Sequence, residues 1–103
     1  MAEGGCTWLV FTGSLAAGDA LELERQLGDH RLAQAHAWLW DMTGLIDLDL
    51  ICAHALLRAI RRAAPGPVRI RGARRTVVRT LRRAGMGAAD AIHDDRPLRT
   101  VDQ

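Results

Sequence analysis

The stretch from Ala35 to Trp40 is nearly all apolar and has the length of a strand. A strand without polar alternation is expected at the centre of a sheet, covered on both faces. Trp38 and Trp40 share one of those faces and Leu39 takes the other, so the two indoles are expected in the core beneath a helix. Thr43-Gly44 reads as a turn. Asp49 then offers a carboxylate to the free N–H groups of a helix start. The helix that follows carries Ala53, Leu56, Leu57 and Ile60 on one stripe, with His54, Arg58, Arg61 and Arg62 outside it.

The flanking segments repeat this alternation. Cys6 to Phe11 is rich in β-formers, and Thr12-Gly13-Ser14 reads as a break. From Ala16 to Leu27, Ala20, Leu23 and Leu27 recur at helical spacing, with Asp19, Glu22 and Glu24 early in the helix and Gly28 as its stop. Pro65-Gly66-Pro67 ends the middle helix, and Val68-Arg69-Ile70-Arg71 alternates in strand period up to Gly72. Thr76 to Ala84 is expected as a third helix, with Val77, Val78 and Leu81 inward and Gly85 as its stop. Ala91-Ile92-His93 reads as a last strand leaving through Asp94-Asp95-Arg96-Pro97. Strands that alternate with helices in this way predict an α/β domain with a mostly parallel sheet of about four strands and about three helices. The whole chain, residues 1–103, is expected to be one such domain, with residues 1–5 as a flexible lead.

Composition narrows the class further. The mixture is that of a globular protein, and no apolar run is long enough to span a bilayer. The first residues lack the charged start of a signal peptide, so a cytoplasmic protein is expected. Cys6 and Cys52 are the two cysteines, far apart in sequence, and no disulfide is expected between them. Every basic residue counted in the net charge is Arg. The segment from Arg58 to Arg99 is strongly basic, whereas Glu3 to Asp49 carries most of the acids, a pattern that fits either solvated helix faces or a partner with an acidic surface. Arg75, Arg79, Arg82 and Arg83 form a connected outer face, but no nucleic-acid-binding signature accompanies them.

Asp41, Thr43, Gly44 and Asp49, followed by Leu50-Ile51-Cys52 and an apolar helix, resemble the central block of the STAS family. Its stand-alone members are bacterial anti-sigma-factor antagonists that regulate transcription. They read apolar strand, Asp-x-Ser-Gly-Leu, then Asp-Ser-Ser-Gly-Leu and a helix. The resemblance runs from about Trp8 to the C-terminus, and Arg75 to His93 is similar to the family's closing helix, turn and final strand. It implies a non-catalytic protein–protein docking module that needs no cofactor, with an anti-sigma factor or GHKL-type kinase as partner. It places the docking surface at Thr43, Gly44, Asp49, Leu50, Ile51, Cys52 and His54. Ile51 stands where partner kinases phosphorylate a serine, so phosphorylation is not expected there. An alternative within the family is a regulatory subunit of a membrane transport ATPase.

The family also begins with an extra strand, for which the few residues before Cys6 leave no room. The strand at Trp8 is therefore expected at a sheet edge, open to pairing with another chain or a second copy.

The residues themselves leave several roles open. Leu50 or Ile51 either folds inward as a staple that fixes the helix start, or forms a permanently apolar docking tip. Thr43 and Ser14 are hydroxyls near strand ends, expected as turn residues before phosphate acceptors. Asp41, Asp47 and Asp49 gather around one expected loop, but nothing beside them cradles a phosphate, and a metal is not expected. His30, His36, His54 and His93 show no zinc spacing with the cysteines. A small-ligand-binding α/β domain or minimal enzyme built on the Asp loop is a further alternative.

Overall fold

The computed structural model describes residues 6–28, 37–63 and 66–94. The chain runs β1 (Cys6–Leu15), a 3-10 turn (Ala17–Asp19), α1 (Ala20–Leu27), β2 (Ala37–Leu48), α2 (Leu50–Ala63), β3 (Val68–Arg71), α3 (Arg75–Arg83) and β4 (Ala91–Asp94). The strands stand in the order β1-β2-β3-β4, each parallel to its neighbour. This is the expected α/β architecture, with β1 at an edge of the described sheet. The expected lead at residues 1–5, the strand start at Ala35 and His36, the Pro65 end of α2 and the Asp95-Arg96-Pro97 exit all lie outside the described residues.

Neighbouring parallel strands in chain order, joined by right-handed crossovers, place every connecting helix on the same side of the sheet. In keeping with this, α1 packs on α2 and α2 on α3. The helix-covered face carries Phe11, Trp38, Trp40, Met42, Val68, Ile70 and Ala91, all buried. Phe11 tilts against Trp40 with ring centroids 5.3 Å apart, and Trp38 stacks on Trp40 at 6.0 Å. Among the described residues the buried Trp40 Nε1–H finds no partner. Such an orphan donor costs about 1–3 kcal/mol.

One expectation about β2 is corrected here. Among the described residues no helix covers its second face: Ala37 is exposed, and Leu39 and Asp41 are only half-buried. The apolar run that suggested two covered faces comes from one buried row, Trp38 and Trp40, with Ala37 and Leu39 between them on the open side.

A second correction concerns strand length. Neither Thr12-Gly13-Ser14 nor Thr43-Gly44 interrupts its strand; β1 and β2 stay paired as far as Leu15 and Leu48. The register shifts twice on the way, between Val10 and Thr12 and between Gly13 and Ser14, and each shift gives β2 one extra residue. An extra residue turns the following side chains to the opposite face. The first bulge therefore brings Leu45 to the helix side, and the second returns Leu48 there, leaving Ile46 and Asp47 outside. Without the bulges, Gly44 and Ile46 would point into the core. Gly13 supplies a positive φ of 75° within this irregular stretch.

Helix ends are fixed by backbone chemistry that the sequence announces. The Asp49 Oδ1 accepts the Ile51 N–H at 2.9 Å, and the Asp49 N–H donates to the Leu15 carbonyl at 2.9 Å, joining the start of α2 to the end of β1. At the end of α3, Gly85 has φ 111°, its N–H donates to Arg82 O at 3.0 Å, and the Met86 N–H donates to Leu81 O at 3.1 Å. That paired arrangement, with Met86 buried, is a Schellman stop.

Two arginines expected outside the buried stripe of α2 also tie elements together. Arg58 of α2 pairs with Glu24 of α1. The Arg61 guanidinium lies 3.2 Å from both Asp90 Oδ2 and Gly85 O, bridging α2 to the approach to β4. Both arginines are exposed, so the pairs contribute orientation more than stability.

Leu56 lies on the buried stripe of α2 and is wholly inaccessible. Leu56→Ala is expected to cost about 2–5 kcal/mol, read as a lower denaturant midpoint at unchanged slope.

Candidate docking site

The seven residues marked by the sequence fall into two places. Asp49, Leu50, Ile51, Cys52 and His54 form the first turns of α2 and its cap, whereas Thr43 and Gly44 lie within β2. Six residues of strand, at about 3.3 Å each, separate Thr43 from Asp49 by on the order of 15–20 Å. Asp41 and Asp47 are likewise strung along β2, with Asp49 just beyond its end, and the three do not gather around one loop. Among the described residues, no three His, Cys, Asp or Glu side chains converge as a metal site would require.

The start of α2 is an apolar tip. Leu50 is 42 % exposed and Ile51 52 %, so neither folds inward as a staple. The phase set by the Asp49 cap explains this: positions 52, 53, 56, 57 and 60 face the core, and positions 50, 51 and 54 face out. Cys52, expected among the docking residues, is therefore corrected to a core residue. It is fully buried, and its Sγ–H donates to the Ala16 carbonyl at 3.1 Å. Burial pushes its thiol above the ordinary cysteine value, and the Asp19 and Asp49 carboxylates add to the effect. A thiol held protonated at neutral pH is a poor nucleophile. His54 is exposed on the outer side of the helix.

The electrostatics of the tip are acidic, with Asp47 and Asp49 exposed on either side of Leu48 and Asp19 near Cys52. A helix N-terminus ordinarily offers free N–H groups to an anion. Here the Ile51 N–H is already taken by the Asp49 carboxylate. The surface on offer is two aliphatic side chains in an acidic frame, with no hydroxyl at either position.

Thr43 belongs to a separate corner. The Asp41 Oδ1 accepts its backbone N–H at 3.0 Å. Hydrogen bonds from the Thr43 hydroxyl and N–H hold the Asp41 carboxyl below its ordinary value, with Arg71 adding attraction. On the far side of Thr43 lies Gly72, whose φ is 72° and where an added Cβ would collide with the Thr43 Oγ1. Gly44 sits against Thr12, whose Cγ2 would lie 3.0 Å from a Cβ at that position. Positive φ and close packing together demand glycine at position 72, whereas a Cβ at Gly44 would need only a small shift of Thr12. Ser14, the other loop hydroxyl considered, is exposed in β1 opposite Asp47.

Sequence reasoning did not find the extended β1–β2 pair or the contact of Thr43 with Gly72. The first had a signal: apolar spacing changes from two at Trp38, Trp40 and Met42 to three at Met42, Leu45 and Leu48. The second is a contact between distant segments and leaves no local trace. On α3, Arg75, Arg79, Arg82 and Arg83 border a shallow exposed groove around half-buried Val78. Among the described residues no helix is long and apolar enough to cross a membrane.

Comparison of the chain with protein-family models and with curated proteins finds no match.

Gly72→Ala is expected to cost about 1–3 kcal/mol, seen as a lower melting temperature, because it combines a strained φ with the collision at Thr43. Adding Thr43→Ala should recover only the steric part. The lowered Asp41 value also fixes a pH dependence. Its contribution to stability is fully present above the unfolded aspartate value of about 3.9 and disappears as pH falls through the lower folded value. Asp41→Asn should therefore be less stable than wild type at neutral pH, and the two unfolding free energies should converge in acid. A gap that persists at low pH would remove the ionised carboxylate as the cause.

Proposed function

We propose that this chain is a non-catalytic protein–protein docking module of the STAS type, working as an anti-sigma-factor antagonist in the cytoplasm without a phosphorylation switch. The observation that carries this reading is the exposure of Leu50 and Ile51 at a capped helix N-terminus. The STAS frame places serines there, one of them a phosphate acceptor. Phosphorylation at such a point adds about −1.5 to −2 charges and disrupts an apolar or acidic interface. A side chain without a hydroxyl leaves the module permanently in its binding form. The partner in this reading is an anti-sigma factor or GHKL-type kinase, meeting Asp49, Leu50, Ile51 and His54. Thr43 and Gly44 take no part in that surface.

The same tip supports a second reading, a constitutive regulatory subunit of a membrane transport ATPase, because that role also needs a docking surface that is never phosphorylated. Small-ligand binding or catalysis draws less support. Open α/β sheets hold ligands where the strand order reverses, and the described strands follow chain order throughout.

The test is affinity capture from host extract with wild-type and Ile51→Asp baits, alongside an Arg79→Glu control on α3. An anti-sigma factor or kinase bound by wild type and control, and reduced about tenfold or more by Ile51→Asp, is the expected result. A transport ATPase component with the same sensitivity selects the second reading. Equal recovery by all three baits removes the helix tip from the interface.

A further inference from the structure

Arg25 pairs with Glu22 along α1, Arg58 with Glu24 and Arg61 with Asp90. α3 departs from that pattern. Arg75, Arg79, Arg82 and Arg83 are all exposed, and among the described residues none of their guanidinium groups has an ion pair. The chain supplies no carboxylate nearby in sequence, for it carries no acidic residue between Asp49 and Asp90. Buried Val77 and Leu81 fix the phase of α3 and send the four arginines to the opposite side, where they cover an arc of about 100° and a length of about 12 Å. Arg75 and Arg79 stand one turn apart, as do Arg79 and Arg83, and like charges at that spacing repel. Arg75 also lies in the first turn, where the helix dipole disfavours a cation and where α3 has no acid. An anionic surface laid along this ridge removes both penalties.

The surroundings of the ridge select the kind of anion. Single-stranded nucleic acid is held by stacking on aromatic side chains, and α3 has none. A duplex is held through many phosphates along an extended basic track, whereas this ridge is two turns long on a chain of formal net charge +2. A helix that lies in a lipid surface inserts its apolar side, and the apolar side of α3 is closed in the core through Val77 and Leu81. Beside the arginines there is one aliphatic side chain, Val78, half-buried in a shallow groove between Arg75 and Arg82. A protein segment combines carboxylates for the arginines with a methyl-bearing side chain for Val78. A second copy has no such helix to offer among its described residues. Only α1 carries helical carboxylates, and Glu22 and Glu24 are already paired with Arg25 and Arg58.

We propose that the outer face of α3 docks an acidic helical segment of another protein, with carboxylates on Arg75, Arg79 and Arg82 and one aliphatic side chain over Val78. Two helices laid side by side share the same rise per turn, so carboxylates three and four residues apart on one meet arginines three and four apart on the other. Guanidinium groups receive carboxylates through paired hydrogen bonds, which add orientation to the attraction. The surface shares no residue with the α2 tip and does not rest on the function proposed for it.

The experiment is fluorescence anisotropy of a labelled, Ala-rich helical peptide titrated with the full chain. The peptide carries Glu, Leu and Glu at the spacing of Arg75, Val78 and Arg82. A scrambled peptide of the same composition, a DNA duplex and phosphatidylserine vesicles are the comparators. Arg75→Glu and Arg82→Glu fall on exposed positions, circular dichroism checks that they fold, and Arg82→Gln removes the charge without reversing it. Wild type is expected to bind the spaced peptide more tightly than any comparator. Each charge reversal is expected to weaken it about tenfold or more, with Arg82→Gln in between. A peptide with Lys in place of one Glu is expected to recover binding to Arg82→Glu. A wild type that does not bind the spaced peptide overturns the proposal, as does one that holds the scrambled peptide equally well. Indifference to both charge reversals removes α3 from the contact. Tighter binding of the duplex or the vesicles, lost in the same variants, overturns the choice of a protein segment.

Discussion

The handedness of the strand–helix–strand crossover governs this molecule. With four strands in chain order, each right-handed crossover sends its helix to the same side. One face of the sheet thus becomes the core, holding both inner tryptophans, Met42, Val68 and Ile70. The opposite face is left with whatever the alternate residues supply. Nothing about the composition of β2 could change that outcome, because its neighbours and their connections decide it.

Within that frame, β2 has to serve two masters. Its first half fits a regular sheet, and its second half must stay paired with β1 while still presenting apolar side chains to the helices. Two extra residues relative to β1 reconcile these demands. The strand then ends at Leu48, Asp49 bonds back to the end of β1, and its carboxylate starts α2. The exposed aliphatic pair at positions 50 and 51 follows from this geometry: the cap fixes the helix phase, and the phase decides which side chains are left outside.

Much of this was legible in the residues. The order of elements, the buried stripe of α2, the Asp49 cap and the Gly85 stop all depend on local patterns, and each stands where its pattern put it. The failures share a cause. A continuous apolar run looked like a strand covered twice because sequence shows how apolar a segment is, not which neighbours cover it. Gly13 and the Thr43-Gly44 pair looked like turns because small residues mark turns and bulges alike. The packing of Thr43 on Gly72, and the use of Arg61 to hold Asp90 and Gly85 together, join segments far apart in the chain, which a linear pattern does not encode. At the candidate site, the outward turn of Ile51 and the inward turn of Cys52 depended on helix phase, and the placement of Thr43 depended on the missed bulges.

The strand order bears on how the chain reaches this state. Each described strand is laid down beside the one that preceded it, so none has to be inserted between two that are already paired. The sheet can grow from β1 toward β4 in the direction of synthesis, with each helix docking on the one before it as it emerges. Pairings of this sort keep loop closures short, which favours rapid folding among parallel sheets. One edge of the growing sheet stays β1 and the other is always its newest strand, and β4, the last to arrive, is only four residues long.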